Sequence, residues 1–392
     1  MTHEKGASPG RASWTRRRAA HRGLGLCAAA AIAAATLSAC GTGQDYSGHR
    51  VTVPDYYPSD YATIVEASKK EGGGLTIYSS TDQQNWAPIF EAFQRKYPWV
   101  DSINATNLDS DEVFQRVLSE QATGQHSADF IATGAADAWG DFAARPGTVA
   151  PYRSPEHDHL PEFAEALPSV YTLSVDPISI IYNTALLEDG QRPTGIADLA
   201  AKVEADPETY DGAITVRNPK GAFGFTVTRA FVVANPDAWD ALAEILPLSR
   251  NETSTGAQIE KVTAGEYAVG FFMGSPALTA EQRTAGLVKT VFPEDGTPLL
   301  RRGMSILQGA PHPATAKLFT DFVLSAEGQA AVAEGGLTAY RPGVQRAADG
   351  VATYSDVIAE VGEQNTILIP YTKASDEEVR QFADRWSALQ AG

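Results

Sequence analysis

A chain of 392 residues that is 43% hydrophobic and 20% charged can bury a large core and has room for about two to three domains. Its formal net charge of −17 argues against a nucleic-acid partner and against electrostatic attraction to an anionic membrane. The amino terminus is of a different kind. Arg16, Arg17, Arg18 and Arg22 make a positive region, and Gly23 to Leu37 is an Ala-rich apolar run too short to span a bilayer in the ordinary way. Residues 1–39 therefore read as an export signal.

Leu37, Ser38, Ala39 and Cys40 match a lipobox, in which small residues precede a cysteine that takes the lipid and becomes the new terminus. Both the Sec and the twin-arginine route remain open. Removing residues 1–39 leaves 25 basic against 47 acidic side chains, a net −22, so membrane attachment should rest on the lipid at Cys40. Cys27 leaves with the signal. No thiol then remains for a disulfide, a nucleophile or a metal cluster.

Residues 40–62 read as a tether, rich in Gly, Ser, Asp and Tyr without periodicity. After a short helix from Ile64 to Lys70, Leu75 to Tyr78 is a β-prone run and Ser79 to Asp82 a polar loop. Trp86, Ile89, Phe90, Phe93 and Tyr97 then keep the spacing of one buried helix face, with Asp82 or Asn85 as the cap. Ser102 to Ala105 is a second strand. Asp109 with Glu112 forms a capping box for a helix through Val113, Val117 and Leu118, and Asp129 to Ala132 is a third strand before the small-residue loop Thr133 to Asp137. Three strand-to-helix units predict a parallel sheet covered by helices.

The proline-rich stretch Pro146 to Pro168 breaks that rhythm. Val170 to Leu173 and Ile178 to Tyr182 are β-rich, and a second α/β series follows: a helix near Ile196, the strand Ala213 to Val216, the loop Arg217 to Gly221 and a helix onward through Phe231. Tyr267 to Phe272, Val288 to Phe292 and Gly303 to Leu307 are further strands. Ala314 to Val323 reads as an amphipathic helix, and Val379 to Leu389 as a terminal one.

LTIYSSTD at 75–82, ADFIATGAADAW at 128–139, IIYNT at 180–184, PKGAF at 219–223, GEYAVG at 265–270 and the segment 293–329 together resemble the extracellular solute-binding proteins of bacterial ATP-driven importers. The branch they resemble includes ferric-ion, phosphonate and sugar-phosphate binders, and the likeness covers roughly residues 72 to 343. It implies an α/β type II periplasmic-binding fold: lobe one from 63–172 and 296–392, lobe two from 173–295, and hinge strands between them. The implied partners are a small polar solute, an ABC permease and its ATPase; the protein is expected to be a monomer, exported and lipid-anchored at the outer face of the cell membrane, and not an enzyme.

Loops matching the family's cleft give the site residues: Ser79, Ser80 and Thr81, then Thr133 and Gly134, then Lys220, Gly221 and Ala222, with Tyr182 in the hinge motif. The third loop carries a physical argument of its own. Lys220 and Gly221 precede a helix, so free amides and the positive end of the dipole join a full charge, as a phosphate, phosphonate or carboxylate requires. Ferric binders of the branch place adjacent tyrosines after the strand occupied here by Tyr267 to Phe272. This chain has Met273, Gly274, Ser275 and Pro276 there, without the phenolates that ferric ion needs. Bare or chelated ferric ion, a polyamine or thiamine, and a sensor without a transport role are the alternatives.

Other chemistry finds no support. Glu156, His157, Asp158 and His159 lie among prolines and read as a solvated loop. Asp109 and Asp111 lack the remaining ligands and the glycine of a calcium loop, and no nucleophile, P-loop or dinucleotide motif sits in a supporting context. No catalytic residue, metal site or cofactor is expected.

Overall fold

The computed structural model describes residues 46, 48–348 and 350–392; the signal and Cys40 lie outside the described residues. Among the described residues twelve strands form two sheets: β1 Gly74–Ser79, β2 Ser102–Asn107, β3 Phe130–Thr133, β4 Glu165–Leu167, β5 Val170–Pro177, β6 Ser179–Asn183, β7 Ile214–Arg217, β8 Ser249–Glu252, β9 Val269–Met273, β10 Val288–Val291, β11 Thr297–Ile306 and β12 Thr366–Leu368. The first sheet has the order β2-β1-β3-β11-β5-β4, with β12 also on β11; the second has the order β10-β6-β9-β7-β8. Within them β1, β2 and β3 are mutually parallel, as are β7, β8 and β9.

Composition follows position. β3 and β9 are wholly buried and apolar apart from Thr133, as strands covered on both faces must be. The edge strands β2 and β8, SINATN and SRNE, are largely polar and half exposed, which discourages pairing with another chain. Helices cover the sheets. Pro313–Leu324 is buried almost all round, and not the one-sided helix its sequence suggests, because Phe319 meets Trp86, Phe90 and Phe93 on one neighbour and Phe130 on the sheet.

The two lobes are joined where strands change sheet. Only Ile178 separates β5 in the first sheet from β6 in the second, and its amide bonds Pro298 O at 2.8 Å. The return runs from β10 to β11. Asp295 in that return accepts from the amides of Ile196 and Ala197 at 3.1 and 2.6 Å, clamping it to the start of a lobe-two helix. Gly296 has φ +141°, and a Cβ there would come within 2.9 Å of Ile367 and Asn235, so the crossing requires glycine.

Two expectations about the ends need correction. The last helix, Asp376–Ala391, expected with lobe one, packs on lobe two: Phe382 lies against Phe225 and Trp239, Arg385 sits over Trp239, and Glu378 pairs with Arg229 at 2.9 Å. Its buried stripe of Phe382 and Trp386, one turn apart, finds apolar partners there. The tether is likewise no free spacer over its described part. Val51, Val53 and Tyr57 pack on the lobe-one core; Tyr56 and Tyr57 donate to Glu156 at 2.8 and 2.6 Å, and Tyr61 donates to Asp321 at 2.8 Å. Glu156 is thus fully buried and not solvated, with Arg341 as its counter-ion at 2.7 Å.

Candidate functional site

Strand ends from both lobes converge on a cleft. On the lobe-one side β1 stops at Ser79, whose hydroxyl accepts from the Thr81 amide at 2.9 Å and the Trp86 indole at 3.1 Å. Ser79 is buried and holds the loop's shape. Ser80, half-buried, faces the opening and donates to Thr133 Oγ1 at 3.2 Å. Thr81 is buried with its hydroxyl unpartnered. Asp82 starts the helix Gln83–Lys96 without capping it; its carboxylate instead accepts from Asn107 at 2.8 Å.

Two cavities open between the lobes. One of about 190 Å³ is lined by Ser80, Asp111, Gly134 and Asp137 from lobe one, and by Arg217, Ala222 and Phe223 among others from lobe two. The other, about 470 Å³, is lined by Ser80, Thr81 and Asn85 against Ser275, Thr279 and Arg283. Ser80, Ser275, Pro276 and Arg302 border both. These four include a bridge. Arg302 donates to Asp176 at 3.0 Å and to Ser80 O at 3.3 Å, and Ser275 of lobe two reaches the same Asp176 oxygen at 3.2 Å.

Arg217 is the distinctive charge. It ends β7 half-buried over the Phe223 ring, with its guanidinium carbon 4.9 Å from the ring centre. Its Nε and Nη1 are shielded from solvent and meet no hydrogen-bond partner in the protein. Burial alone lowers its pKa, as it must for a cation without a counter-charge. Across the cavity, Asp111 and Asp137 form no ion pair within the described residues. Burial, and then the Asp137 and Asp109 carboxylates, raise the Asp111 pKa.

Of the residues expected from sequence, Ser80, Thr81, Gly134 and Ala222 line these cavities. Ser79 and Thr133 stand behind them, Thr133 donating to Ser110 O at 3.0 Å. Tyr182 lies in β6 under the Arg192 guanidinium, away from both cavities. Gly221 caps the helix Ala222–Ala234 without lining either. Lys220 lies elsewhere: it is exposed and borders a separate groove with Asn251 of β8 and with Trp386 and Gln390 of the last helix. Its amide bonds Asn218 Oδ1 at 3.0 Å, and the turn so formed sends Lys220 outward while Arg217 points into the cleft. Sequence reasoning missed Arg217, Arg302, Asp111 and Asp137. The signal for Arg302 was present, an arginine pair within the otherwise apolar LLRRGMSI of β11; strand alternation sends Arg301 to the Tyr371 ring and Arg302 to the cleft.

A family profile described as bacterial extracellular solute-binding protein matches residues 79–330. Among solved structures, the substrate-binding protein of an ABC transporter from Agrobacterium tumefaciens is similar with a TM-score of 0.69 at 21% identity, over 82% of this chain and 96% of that one. AfuA from Actinobacillus pleuropneumoniae, with fructose-6-phosphate bound, gives 0.56 at 20%, over 81% and 99%. Iron-bound HitA from Pseudomonas aeruginosa gives 0.60 at 18%, again over 81% and 99%.

Proposed function

Because this chain belongs to the bacterial extracellular solute-binding proteins, which bind and do not transform their solutes, we propose that it captures a small polar anion between its lobes and delivers it to an ABC permease with its ATPase. A phosphate or phosphonate group is the favoured anion. The observation that carries this is Arg217, a half-buried cation on the cleft wall whose Nε and Nη1 have no protein partner. An anion held against its cavity side would neutralise that charge. Ser80 borders both cavities with its hydroxyl, Gly134 and Ala222 line the one that holds Arg217, and Thr81 lines the other. Closure about the β5–β6 and β10–β11 crossings brings the two walls onto the solute, whose greater affinity for the closed form shifts the equilibrium.

Residues 63–172 with the chain from 296 serve as lobe one and residues 173–295 as lobe two, the last helix riding on lobe two. Lipidation at Cys40 after loss of residues 1–39 holds the exported monomer at the membrane. A ferric ligand is not favoured, since no tyrosine borders either cavity.

The test is a thermal-shift panel of phosphonates, sugar phosphates, ferric complexes and polyamines. A ligand at a hundred times its dissociation constant adds about 2.7 kcal/mol of stability. Arg217→Met should abolish the shift given by an anion while leaving the unliganded melting point unchanged or higher, because an unpaired, partly buried charge is removed. A shift from ferric salts or polyamines alone, or one retained in Arg217→Met, would sink the proposal.

A further inference from the structure

The smaller cavity carries opposite charges on opposite walls, and neither is spent. Arg217 on lobe two has no partner for Nε or Nη1. Facing it from lobe one are Asp111, near the start of the helix Ser110–Ala122, and Asp137, near the start of Ala136–Ala143. Acidic residues in a first helical turn often serve only their own helix. Here Glu112, and not Asp111, makes the reciprocal bond to the cap, accepting from the Asp109 amide at 3.4 Å. The only other cation bordering the cavity, Arg302, is bound to Asp176 and Ser80 O. An anion docked on Arg217 alone would therefore share a 190 Å³ space with two carboxylates and nothing to offset them. Partial burial, and then repulsion by Asp137 and Asp109, already disfavour the charged form of Asp111, which an adjacent cation would reverse.

Resting on the reading that the cleft holds an anion, we propose that the ligand is a short zwitterion, its acid group on Arg217 and its ammonium between Asp111 and Asp137. A plain anion leaves the carboxylates uncompensated. A plain cation leaves Arg217 so.

Calorimetric titration of the full-length chain with 2-aminoethylphosphonate against ethylphosphonate, and with 3-aminopropionate against propionate, separates the two ideas, with ethylamine as the cation alone. In at least one pair the amino compound is expected to bind about tenfold more tightly or better, a gap of 1.4 kcal/mol or more. In the double variant Asp111→Asn, Asp137→Asn that ratio should fall to about one, with the plain anion binding more tightly than before. Both positions are at least partly solvent-facing, and amides of the same shape preserve the fold, checked by the melting point. Equal binding of amino and plain anions overturns the zwitterion and leaves the anion reading standing. Binding of ethylamine alone, or of none of the five compounds, overturns both.

Discussion

Two guanidinium groups, Arg341 in lobe one and Arg217 at the cleft, show how differently one fold treats two charges withdrawn from water. The Arg341 side chain is largely buried, and its donors are engaged: Nη1 meets Glu156 and Leu324 O, each at 2.7 Å, and Nη2 donates to the Tyr56 hydroxyl at 3.3 Å. Glu156 in turn takes both Tyr56 and Tyr57. Arg217 is also shielded, yet two of its nitrogens meet nothing but an aromatic face. Desolvating a cation without partners costs several kcal/mol, so a chain that completes one such site and leaves the other open keeps the second in a state that an anion relieves.

The contrast breaks most sharply at Glu156. Glu156→Ala strands the Arg341 charge and two tyrosine hydroxyls, and should cost about 3–5 kcal/mol of stability, read as a lowered urea midpoint. Solute affinity should not change, since Glu156 borders neither interlobe cavity. A fall in affinity with unchanged stability would reverse the roles assigned to the two arginines.

A smaller effect is expected from Asp321, which completes the same lobe-one network by accepting from Tyr61, Tyr152 and Ser154 at 2.8, 2.6 and 2.6 Å. Burial pushes its carboxyl up from 3.8 to about 7, with Glu156 nearby adding to the rise and the three hydroxyl donors opposing it. Below pH 3.8 the group holds a proton folded or unfolded; between 3.8 and 7 only the folded state holds it. Its contribution to stability is thus fullest in acid and is lost as pH rises through 7. The difference in melting point between wild type and Asp321→Asn should accordingly move against the wild type from pH 5 to pH 8. A difference that stays flat, or moves the other way, would mean that the three hydroxyls hold Asp321 as a carboxylate throughout.

Much of the frame could be read from the chain. The strand, loop and helix units and the Asp109 and Glu112 capping pair depend on local pattern, while the hinge strands came from the family resemblance, and the described residues carry each of them. What failed depends on partners distant in sequence. Tyr56 and Tyr57 looked like tether because Glu156 is about a hundred positions away. The terminal helix was legible as a helix, but its pattern could not say which lobe would cover Phe382 and Trp386. Arg217 at the end of β7 and Lys220 lie three residues apart, and only the turn at Asn218 decides which of them borders the interlobe cavity.

Lys220 therefore offers the finest test of the comparison. It is a cation at a loop leading into a helix, as motif reasoning favours, but it is exposed and borders the groove beside Trp386 and Gln390. An exposed charge outside the cavity acts on a bound anion only through water and salt, where screening over about 8 Å at physiological ionic strength leaves little. Lys220→Glu should alter anion affinity by less than about threefold at 0.15 M salt, with the residual effect shrinking as salt rises. Loss of binding on that substitution, with Arg217→Met retaining it, would move the anion from the interlobe cavity to the outer groove and make the unpartnered guanidinium a cost without a ligand to offset it.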